Sequence, residues 1–338
     1  MIKEATEKIT GHEHLSRAEM ETVIEEIMSG ETETPLIVSF LTALSDKGET
    51  IEELTGAVTV MRRHVTAINV RKKEVVLDTC GTGGDKKGTF NISTVVAFVT
   101  SGCGIIVAKH GNRSVSSRCG SADILEALGV NIHLTKEQIE SCLNDIGICF
   151  LFAQNLHPAM KHVMPARKTI GKRTMFNILG PLTNPAGAAH QLLGVYNSAL
   201  TETLARVLAN LGTVHALLVH GQDGLDEVST IAGTTICELR KGEFKNFELQ
   251  PEDYGFKKTS LESLAGGSAQ ENAAILLELL KGKKGPQRDI VILNAACALY
   301  AADKTNSIIE GIALAERSID SGKAFEKLEL LKEYSNRK

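Results

Sequence analysis

A glycine-rich segment of this sequence has the residue types needed to bind phosphate. Residues Asp78–Asp85, with the sequence DTCGTGGD, follow the apolar run Val75–Leu77 and precede a predicted helix that begins near Ser93. Glycines let a backbone approach a ligand closely and expose its N–H groups to anionic oxygens. The positive end of the following helix adds to this, and Asn91, Ser93 and Thr94 supply amide and hydroxyl groups there. By itself the segment is equally consistent with a tight turn.

A second segment, Lys109–Ser117, has the sequence KHGNRSVSS and follows the apolar run Ile105–Ala108. Two permanent cations, a histidine, an amide and three hydroxyls are typical of a flexible loop that closes on phosphate oxygens. Alone, this composition also fits a solvated polar loop. Because ligands of α/β sheets gather at the carboxyl ends of neighbouring parallel strands, two such loops together favour a phosphate site.

Two further segments carry charged side chains. Gly221–Glu227, with the sequence GQDGLDE, follows the predicted strand His215–Val219. Proteins hold Mg²⁺ through one or two carboxylates together with substrate phosphates and water, so Asp226 and Glu227 are candidate ligands. The other segment runs from His157 to Pro185. It contains Arg167, whose guanidinium can hold a carboxylate by two parallel hydrogen bonds.

Apolar periodicity predicts that residues 1–66 form only helices. Capping boxes at Ser16–Glu19 and Thr50–Glu53 begin two of them, and Pro35 suits the first turn of another. Apolar residues recur at helical spacing on two helices: Met20, Val23, Ile24, Ile27 and Met28, then Leu36, Phe40 and Leu44. These stripes offer more apolar surface than about 66 residues readily bury alone, which predicts a homodimer formed by these helices.

From residue 74 onward, short apolar runs alternate with helices. The predicted strands lie at residues 75–77, 105–108, 131–134, 148–152 and 215–219. A basic segment at 157–190, punctuated by glycine and proline, interrupts the alternation. We therefore expect an α/β protein with a small all-α domain at 1–66 and a large α/β domain at 74–338, whose mostly parallel central sheet is flanked by helices.

Composition excludes several classes of protein. Of the 338 residues, 43% are hydrophobic and 23% charged, and the net charge of −4 argues against a nucleic-acid partner. The sequence has no apolar run of about 18 residues to span a membrane and no signal-peptide core at its start. Seven scattered cysteines without a C-x-x-C pair predict neither disulfides nor zinc and favour a reducing cytoplasm. The histidines form no recognisable metal pattern.

With these segments in place, the sequence closely resembles the anthranilate phosphoribosyltransferase family. The resemblance is carried, in the family's order, by DTCGTGGDKKGTFNIST, KHGNRSVSSRCGSADILEALG, HPAMKHVMPARKTIGKRTMFNILGPLTNPA and GQDGLDE. It spans essentially the whole chain. It implies a fold shared with pyrimidine nucleoside phosphorylases and a homodimer formed through the helical domain. It also implies that part of 157–190 completes that domain and that the active site lies in the cleft between the domains.

The resemblance also implies specific ligand contacts. Residues implied to bind phosphoribosyl pyrophosphate are Gly81, Gly84, Asp85, Thr89, Asn91, Ile92, Ser93, Thr94, Lys109, Asn112, Arg113, Ser116, Ser117 and Ser121. Those implied to bind anthranilate are Gly81, Asn112, His157 and Arg167, and those implied to bind Mg²⁺ are Ser93, Asp226 and Glu227. Two positions depart from the family's pattern, Gln154 in place of a common proline and Cys119 in place of a frequent serine. Neither is expected to touch a proposed ligand group, so neither should affect the activity.

The implied reaction transfers the phosphoribosyl group of phosphoribosyl pyrophosphate to the amine of anthranilate, a step of tryptophan biosynthesis. The departing pyrophosphate would be neutralised by Mg²⁺, by backbone N–H groups and by Lys109 or Arg113. An aniline-type amine attacks in its neutral form, so no strong base is required. His110 is then either the proton acceptor or a group that only positions the substrate.

Two alternatives remain open from the sequence. A pyrimidine nucleoside phosphorylase on the same fold would use free phosphate and would not need the acidic pair Asp226–Glu227. A non-catalytic relative would be expected to have lost Arg167, Asn112 or the acidic pair, and to have a basic surface. All four residues are present and the chain is slightly acidic, which favours the transferase.

Overall fold

The computed structural model describes residues 1–71, 76–113 and 119–337. The chain forms a small helical N-terminal domain and a larger α/β domain around one seven-stranded sheet. This arrangement confirms the predicted fold class. In the part of the chain that the structure describes, no helix combines the length and the apolar character needed to cross a membrane.

Local sequence determines the helix starts of the N-terminal domain, which contains α1 (Ile2–Thr10), α2 (Arg17–Met28), α3 (Thr34–Lys47) and α4 (Ile51–Arg63). Both predicted capping boxes are present, at the starts of α2 and α4. Each box provides partners for N–H groups that the first turn of a helix leaves unpaired. Pro35 lies in the first turn of α3, as predicted.

Seven strands form the sheet: β1 (Val76–Gly81), β2 (Ile106–Gly111), β3 (Ile148–Phe152), β4 (His190–Gly194), β5 (His215–Gly221), β6 (Thr234–Arg240) and β7 (Glu243–Leu249). Their order across the sheet is β3-β2-β1-β4-β5-β6-β7. Strands β1 to β5 pair in parallel, and β6 and β7 extend the sheet with antiparallel pairs. The loops that follow β1, β2 and β5 therefore emerge at the same edge of the sheet.

The remaining helices surround this sheet. They are α5 (Ile92–Gly102), α6 (Ser121–Ala127), α7 (Lys136–Ser141), α8 (Ala153–Leu156), α9 (Met164–Ile170), α10 (Phe176–Leu179), α11 (Ala199–Asn210), α12 (Ala269–Leu280), α13 (Pro286–Ala301), α14 (Ile308–Asp320) and α15 (Lys323–Ser335). A π-helical turn at Cys142–Ile146 continues α7.

Neighbouring residues of the central strands point into two different hydrophobic cores. Leu192 and Leu217 belong to the core that contains residues of α5 and α13. Leu193 and Leu218 belong to a second core, shared with α11 and the N-terminal helices. Since successive strand residues point to opposite faces, the sheet separates two apolar layers, and β4 and β5 are buried on both sides.

The apolar stripes of α2 and α3 are buried within the chain itself. Met20, Ile24, Phe40 and Leu44 have no exposed surface, and only Leu36 remains partly exposed. Helix α4 packs against α2, and α9, from the 157–190 segment, packs against α3. The expectation that these stripes leave excess apolar surface for a second copy is therefore wrong, because helices of the same chain cover them.

One predicted strand is also wrong, and three strands, β4, β6 and β7, were not predicted. Residues 131–134 form no strand, because the N–H of Asn131 donates to Ser335 Oγ of α15 (3.1 Å) and the buried Ile132 and Leu134 lie outside any ladder. Apolar residues at every second position show that one face of the segment is buried, but they do not show that its backbone pairs with a neighbouring strand. Strand β4 escaped prediction because it ends a segment rich in glycine and proline. Val75, where the first predicted strand begins, lies outside the described residues.

The crossing of α2 and α4 depends on Gly56. A Cβ atom at this position would lie 2.7 Å from the backbone oxygen of Arg17. We expect Gly56→Val to reduce the free energy of unfolding by about 1–3 kcal/mol, because the two helices would have to separate. Chemical denaturation followed by far-UV circular dichroism measures this.

Thr22→Val is the matched control for Gly56→Val. It introduces the same side chain at an exposed position of α2, so this variant should unfold near the parent's midpoint. Equal midpoints for Gly56→Val and the parent would contradict the proposed close approach of the two helices.

Candidate active site

The segments that follow β1 and β5 are joined by hydrogen bonds at the carboxyl edge of the sheet. The N–H of Gly83, in the glycine-rich loop, donates to Asp226 Oδ2 at 2.9 Å. The N–H of Ser93, in the first turn of α5, donates to Glu227 Oε1 at 3.2 Å. The structure thus brings the glycine-rich loop, the helix start and the acidic pair together.

Two paired glycines make room for this contact. Gly81 of β1 and Gly194 of β4 are partners in the sheet register. A Cβ atom on Gly194 would lie 1.7 Å from the backbone oxygen of Asp226, and one on Gly81 would lie 2.9 Å from its Oδ2. Sequence reasoning missed Gly194, because the closeness of Asp226 to β4 becomes visible only once the strand order is known.

The Lys109 ammonium lies beneath the acidic pair. Its side chain is 3% exposed, and Nζ donates to the backbone oxygen of Thr79 at 2.6 Å and to Ser93 Oγ at 3.1 Å. Lys109 and His110 belong to β2, so the expectation that they are part of a flexible loop is wrong. The sheet ladder extends through them and fixes their backbone. Lys109 therefore presents a fixed positive charge at this edge.

Burial makes simultaneous ionisation of the two carboxyl groups, Asp226 and Glu227, unfavourable. Burial, together with the nearby charge of Asp85, raises the pKa of Asp226 to about 7. Burial and the charge of Asp226 raise the pKa of Glu227, while Lys109 opposes that rise. Carboxylate and hydroxyl oxygens are the ligands that Mg²⁺ prefers, so Asp226, Glu227 and Ser93 fit such an ion.

A buried carboxylate that sequence reasoning did not single out supports the ends of β1 and β2. Asp78 Oδ1 accepts a hydrogen bond from the N–H of His110 (3.0 Å), and Oδ2 accepts one from Asn184 Nδ2 (2.8 Å). Asn184 also donates to the backbone oxygen of Ala108 at 2.8 Å. Burial raises the pKa of Asp78 to about 6. The feature of the sequence that could have identified Asp78 is the position of a carboxylate directly after an apolar strand.

His110 and His157 form a buried pair. Their Nε2 atoms lie 3.0 Å apart, so one ring donates and the other accepts. Burial lowers the pKa of His110 to about 3 and that of His157 to about 4. Both rings are therefore neutral near pH 7. A group with such a low pKa is a weak proton acceptor, which favours a positioning role over that of a general base.

Arg167 presents an unused guanidinium. Its side chain on α9 is half-buried, and burial lowers its pKa. Among the residues that the structure describes, none forms a hydrogen bond or ion pair with it. A partly buried cation without a partner is costly, so this arrangement favours an anionic ligand. Asn112 is exposed and its Oδ1 accepts from Gln154 Nε2 at 3.1 Å, so the expectation that Gln154 touches no proposed ligand group is wrong.

Arg113 is not directed to the acidic pair. Its guanidinium bonds Asp123 at 2.8 Å and both carboxylate oxygens of Glu126, at 2.5 and 2.8 Å, and lies over the Phe152 ring. Its charge is therefore already neutralised by α6. Ser116 and Ser117, which follow it in the predicted loop, lie outside the described residues.

The other residues predicted for the phosphate site surround the start of α5. Thr94 Oγ1 bonds the side chains of Asn91 and Ser121, and Ile92 is buried beneath them. Thr89 forms an isolated bridge to Ala265.

The glycine-rich loop has a side-chain contact that the sequence did not suggest. Arg173 Nη2 donates to the backbone oxygen of Gly84 at 2.5 Å, and its guanidinium lies 3.9 Å from the centre of the Tyr196 ring. Arg173 follows α9, so the segment that carries Arg167 is tied directly to this loop.

Comparison with known proteins agrees with this geometry. A family model described as "Glycosyl transferase family, a/b domain" matches residues 73–325, and one described as "Glycosyl transferase family, helical bundle domain" matches residues 3–65. The anthranilate phosphoribosyltransferase of Methanobrevibacter smithii is 52% identical over 336 residues, which cover 99% of this chain and 100% of the relative.

Solved structures agree as well. The anthranilate phosphoribosyltransferase of Thermus thermophilus is 42% identical, with a TM-score of 0.93 and coverage of 98% of this chain and 99% of that one. The Saccharomyces cerevisiae enzyme, solved in complex with phosphoribosyl pyrophosphate and Mg, is 31% identical, with a TM-score of 0.90 and coverage of 99% and 97%. Since these matches extend over nearly the full length of both chains, the chain belongs to the anthranilate phosphoribosyltransferase family.

Proposed function

We propose that this chain transfers the 5-phosphoribosyl group of phosphoribosyl pyrophosphate to the amine of anthranilate. The products are N-(5-phosphoribosyl)anthranilate and pyrophosphate, and the reaction is a step of tryptophan biosynthesis. The observation that supports it most directly is the junction of a glycine-rich loop, a buried lysine and an acidic pair at one sheet edge. Loss of anthranilate fluorescence in the presence of phosphoribosyl pyrophosphate and Mg²⁺ is the test, and no loss would overturn the proposal.

The donor would bind at the start of α5. Backbone N–H groups of Gly84 and Asp85 and the side chains of Asn91, Ser93, Thr94 and Ser121 would face its phosphate oxygens, whereas the N–H groups of Thr82 and Gly83 already donate to Gly194 and Asp226. Ser93, Asp226 and Glu227 would hold Mg²⁺, which neutralises charge on the departing pyrophosphate. Lys109 orients Ser93 Oγ and adds positive charge beneath the site. Arg113 can add positive charge to the pyrophosphate site only after its ion pairs with Asp123 and Glu126 break.

The acceptor would bind between Arg167, Asn112, His157 and the backbone of Gly81. A planar guanidinium can hold the anthranilate carboxylate with two parallel hydrogen bonds and thereby direct the amine toward C1 of the ribose. His110 and His157 would remain neutral and shape this pocket. The amine attacks neutral and loses its proton after the bond has formed, so the low pKa of His110 is compatible with turnover.

The domain boundaries, the homodimer and the location belong to the same proposal. We assign residues 1–66 to the helical domain, completed by part of 157–190, and residues 74–338 to the α/β domain. Membership of the family supports a homodimer formed through the helical domain. All seven cysteines have free thiols, which is consistent with the reducing cytoplasm as the location.

We expect the full-length chain to sediment at twice its 36.4 kDa mass. Sedimentation equilibrium at micromolar concentration measures this, and a species at the single-chain mass throughout would refute the homodimer.

We expect the double variant Asp226→Asn, Glu227→Gln to lower kcat at least about 10-fold at a fixed Mg²⁺ concentration, because charge stabilisation by a bound metal is worth several kcal/mol. Steady-state kinetics over a Mg²⁺ titration measures this. The control is Glu252→Gln, Asp253→Asn, an exposed adjacent pair that carries the same charges. Parental Mg²⁺ dependence in the first variant would remove the metal assignment.

The apparent Mg²⁺ affinity should depend on pH. Since the pKa of Asp226 is raised to about 7, this carboxylate is ionised above that pH and protonated below it. Mg²⁺ binding requires the ionised form, so affinity should fall by up to about 10-fold per pH unit below 7. Mg²⁺ titrations of kcat between pH 6 and 8 test this, and a constant midpoint would contradict it.

We expect Arg167→Lys to raise the KM for anthranilate and leave the KM for phosphoribosyl pyrophosphate nearly unchanged. Lysine keeps the charge but loses the two-pronged geometry. If charge-assisted hydrogen bonding contributes about 1.5–3 kcal/mol, kcat/KM for anthranilate should fall about 10- to 100-fold. Lys168→Ala, an exposed neighbour on α9, is the control. A defect confined to phosphoribosyl pyrophosphate would place the acceptor site elsewhere.

A further inference from the structure

We propose that Arg173 is a positioning residue for the donor, which fixes the peptide between Gly84 and Asp85 so that the N–H of Asp85 faces the pyrophosphate. Sequence reasoning assigned Arg173 no role, because its partner in the glycine-rich loop lies 89 residues away in the chain. This role rests on the proposed function, since it adds a residue that shapes the same donor site.

Arg173 reaches the glycine-rich loop through a short hydrogen bond. Its Nη2 donates to the backbone oxygen of Gly84 at 2.5 Å. A Cβ atom on Gly84 would lie 2.1 Å from the same Nη2, so the guanidinium occupies space that only a glycine leaves open. Hydrogen bonds from a charged donor are stronger than those between neutral groups, so this contact holds the carbonyl in one direction.

The direction of the Gly84 carbonyl determines where the next N–H points. The peptide is planar and trans, so the C=O of Gly84 and the N–H of Asp85 point in opposite directions. The N–H of Asp85 forms no hydrogen bond with any residue that the structure describes. It is therefore available to an anion on the side of the loop opposite Arg173. Donors that are fixed before the ligand arrives stabilise its charge without a cost of reorganisation.

The loop requires such a support because its backbone is otherwise free to rotate. Gly83 and Gly84 are consecutive glycines with φ of 66° and 83°. Neither has a Cβ atom to restrict rotation, so the peptide after Gly84 has several accessible orientations. Asp226 accepts from the N–H of Gly83 at 2.9 Å. Among the described residues, only Arg173 forms a hydrogen bond with Gly84.

The ring of Tyr196 holds the guanidinium in place. Cζ of Arg173 lies 3.9 Å from the centre of this ring, and aromatic faces attract cations. The N–H of Tyr196 donates to Thr82 Oγ1 at 3.1 Å, so the ring is tied to the loop that Arg173 supports. Within the described part of the chain, Arg173 forms no ion pair that would draw it to another position.

The backbone on both sides of Arg173 is anchored. The N–H of Gly171, at the end of α9, donates to the backbone oxygen of Arg167 at 3.1 Å. The N–H of Thr174 donates to Asn177 Oδ1 at 2.9 Å, at the start of α10. Arg173 therefore reaches the loop from a fixed backbone, and the segment that carries the proposed acceptor contact also supports the donor loop.

Kinetics of Arg173→Gln test this role. We expect the KM for phosphoribosyl pyrophosphate and the inhibition constant of pyrophosphate to rise at least about 10-fold, the effect of losing a hydrogen bond from a charged group. The KM for anthranilate should change by less than about 2-fold, because uniform binding of the acceptor is not affected. Lys172→Gln removes the same charge from the exposed neighbouring residue and should keep the parental constants.

Variants of Tyr196 separate orientation of the guanidinium from its charge, which they leave in place. Tyr196→Leu removes the aromatic face and should raise the KM for phosphoribosyl pyrophosphate, whereas Tyr196→Phe keeps that face and should retain most of the affinity. The double variant Arg173→Gln, Tyr196→Leu should bind the donor no more weakly than Arg173→Gln alone, because the ring acts through the guanidinium. Additive effects of the two substitutions would contradict the proposal.

Hydrogen exchange of the ligand-free chain, measured by mass spectrometry, distinguishes this role from direct contact between Arg173 and the pyrophosphate. Loss of the support should speed exchange of the Thr82 and Gly83 N–H groups in Arg173→Gln and leave the other elements at parental rates. A direct contact would change no rate before a ligand is bound. Parental exchange in the loop, a parental KM for the donor, or equal defects for both substrates would overturn the proposal.

Failure of the proposed function has a different signature. A parent that does not convert anthranilate would refute the transferase assignment. Calorimetric titration of pyrophosphate, with Mg²⁺ present, into the parent and into Arg173→Gln would then still test the role of Arg173. Equal affinities of the two chains would overturn it, and weaker binding by the variant would support it.

Discussion

The active-site edge depends on one buried positive charge. The Lys109 ammonium lies between the backbone of β1 and the first turn of α5, where it bonds Thr79 and Ser93. Burial of an ammonium costs several kcal/mol unless anionic groups compensate, and burial does lower its pKa. Asp78 and Glu227 provide that compensation. The end of β1, the start of α5 and the acidic pair are therefore all stabilised by interactions with the Lys109 ammonium. A bound divalent cation and pyrophosphate would add further charge interactions at the same edge.

Much of this arrangement follows from local sequence. Capping boxes, Pro35 and the apolar runs of β1, β2, β3 and β5 determine their elements through short-range chemistry, and the segments around Gly83, Ser93 and Asp226 do meet at one edge. The rule that parallel strands place their loops on one side was sufficient for this prediction, because it requires only the direction of each strand.

The parts that could not be predicted depend on contacts between distant residues. The need for glycine at Gly194 arises from an oxygen of Asp226, and the ion pairs of Arg113 involve side chains on α6. The apolar stripes of α2 and α3 are covered by α4 and α9, so periodicity showed which faces are buried but not what buries them. Local sequence predicts whether a residue is buried and in which element it lies. The residue that it contacts is determined by the packing of elements that are far apart in the chain.

The second hydrophobic core has a consequence for how the chain unfolds. Because that core contains both N-terminal helices and one face of β4, β5 and β6, the boundary between the domains does not separate two independent cores. Removal of the first 66 residues would expose the apolar surfaces of α10 and α11 that pack against α4, and loss of α11 would in turn expose α4 and the sheet face. The two domains are thus energetically linked, and their melting should be a single cooperative event. A destabilising change in a helix distant from the substrates would then reduce the amount of functional enzyme without altering the chemistry of its active site.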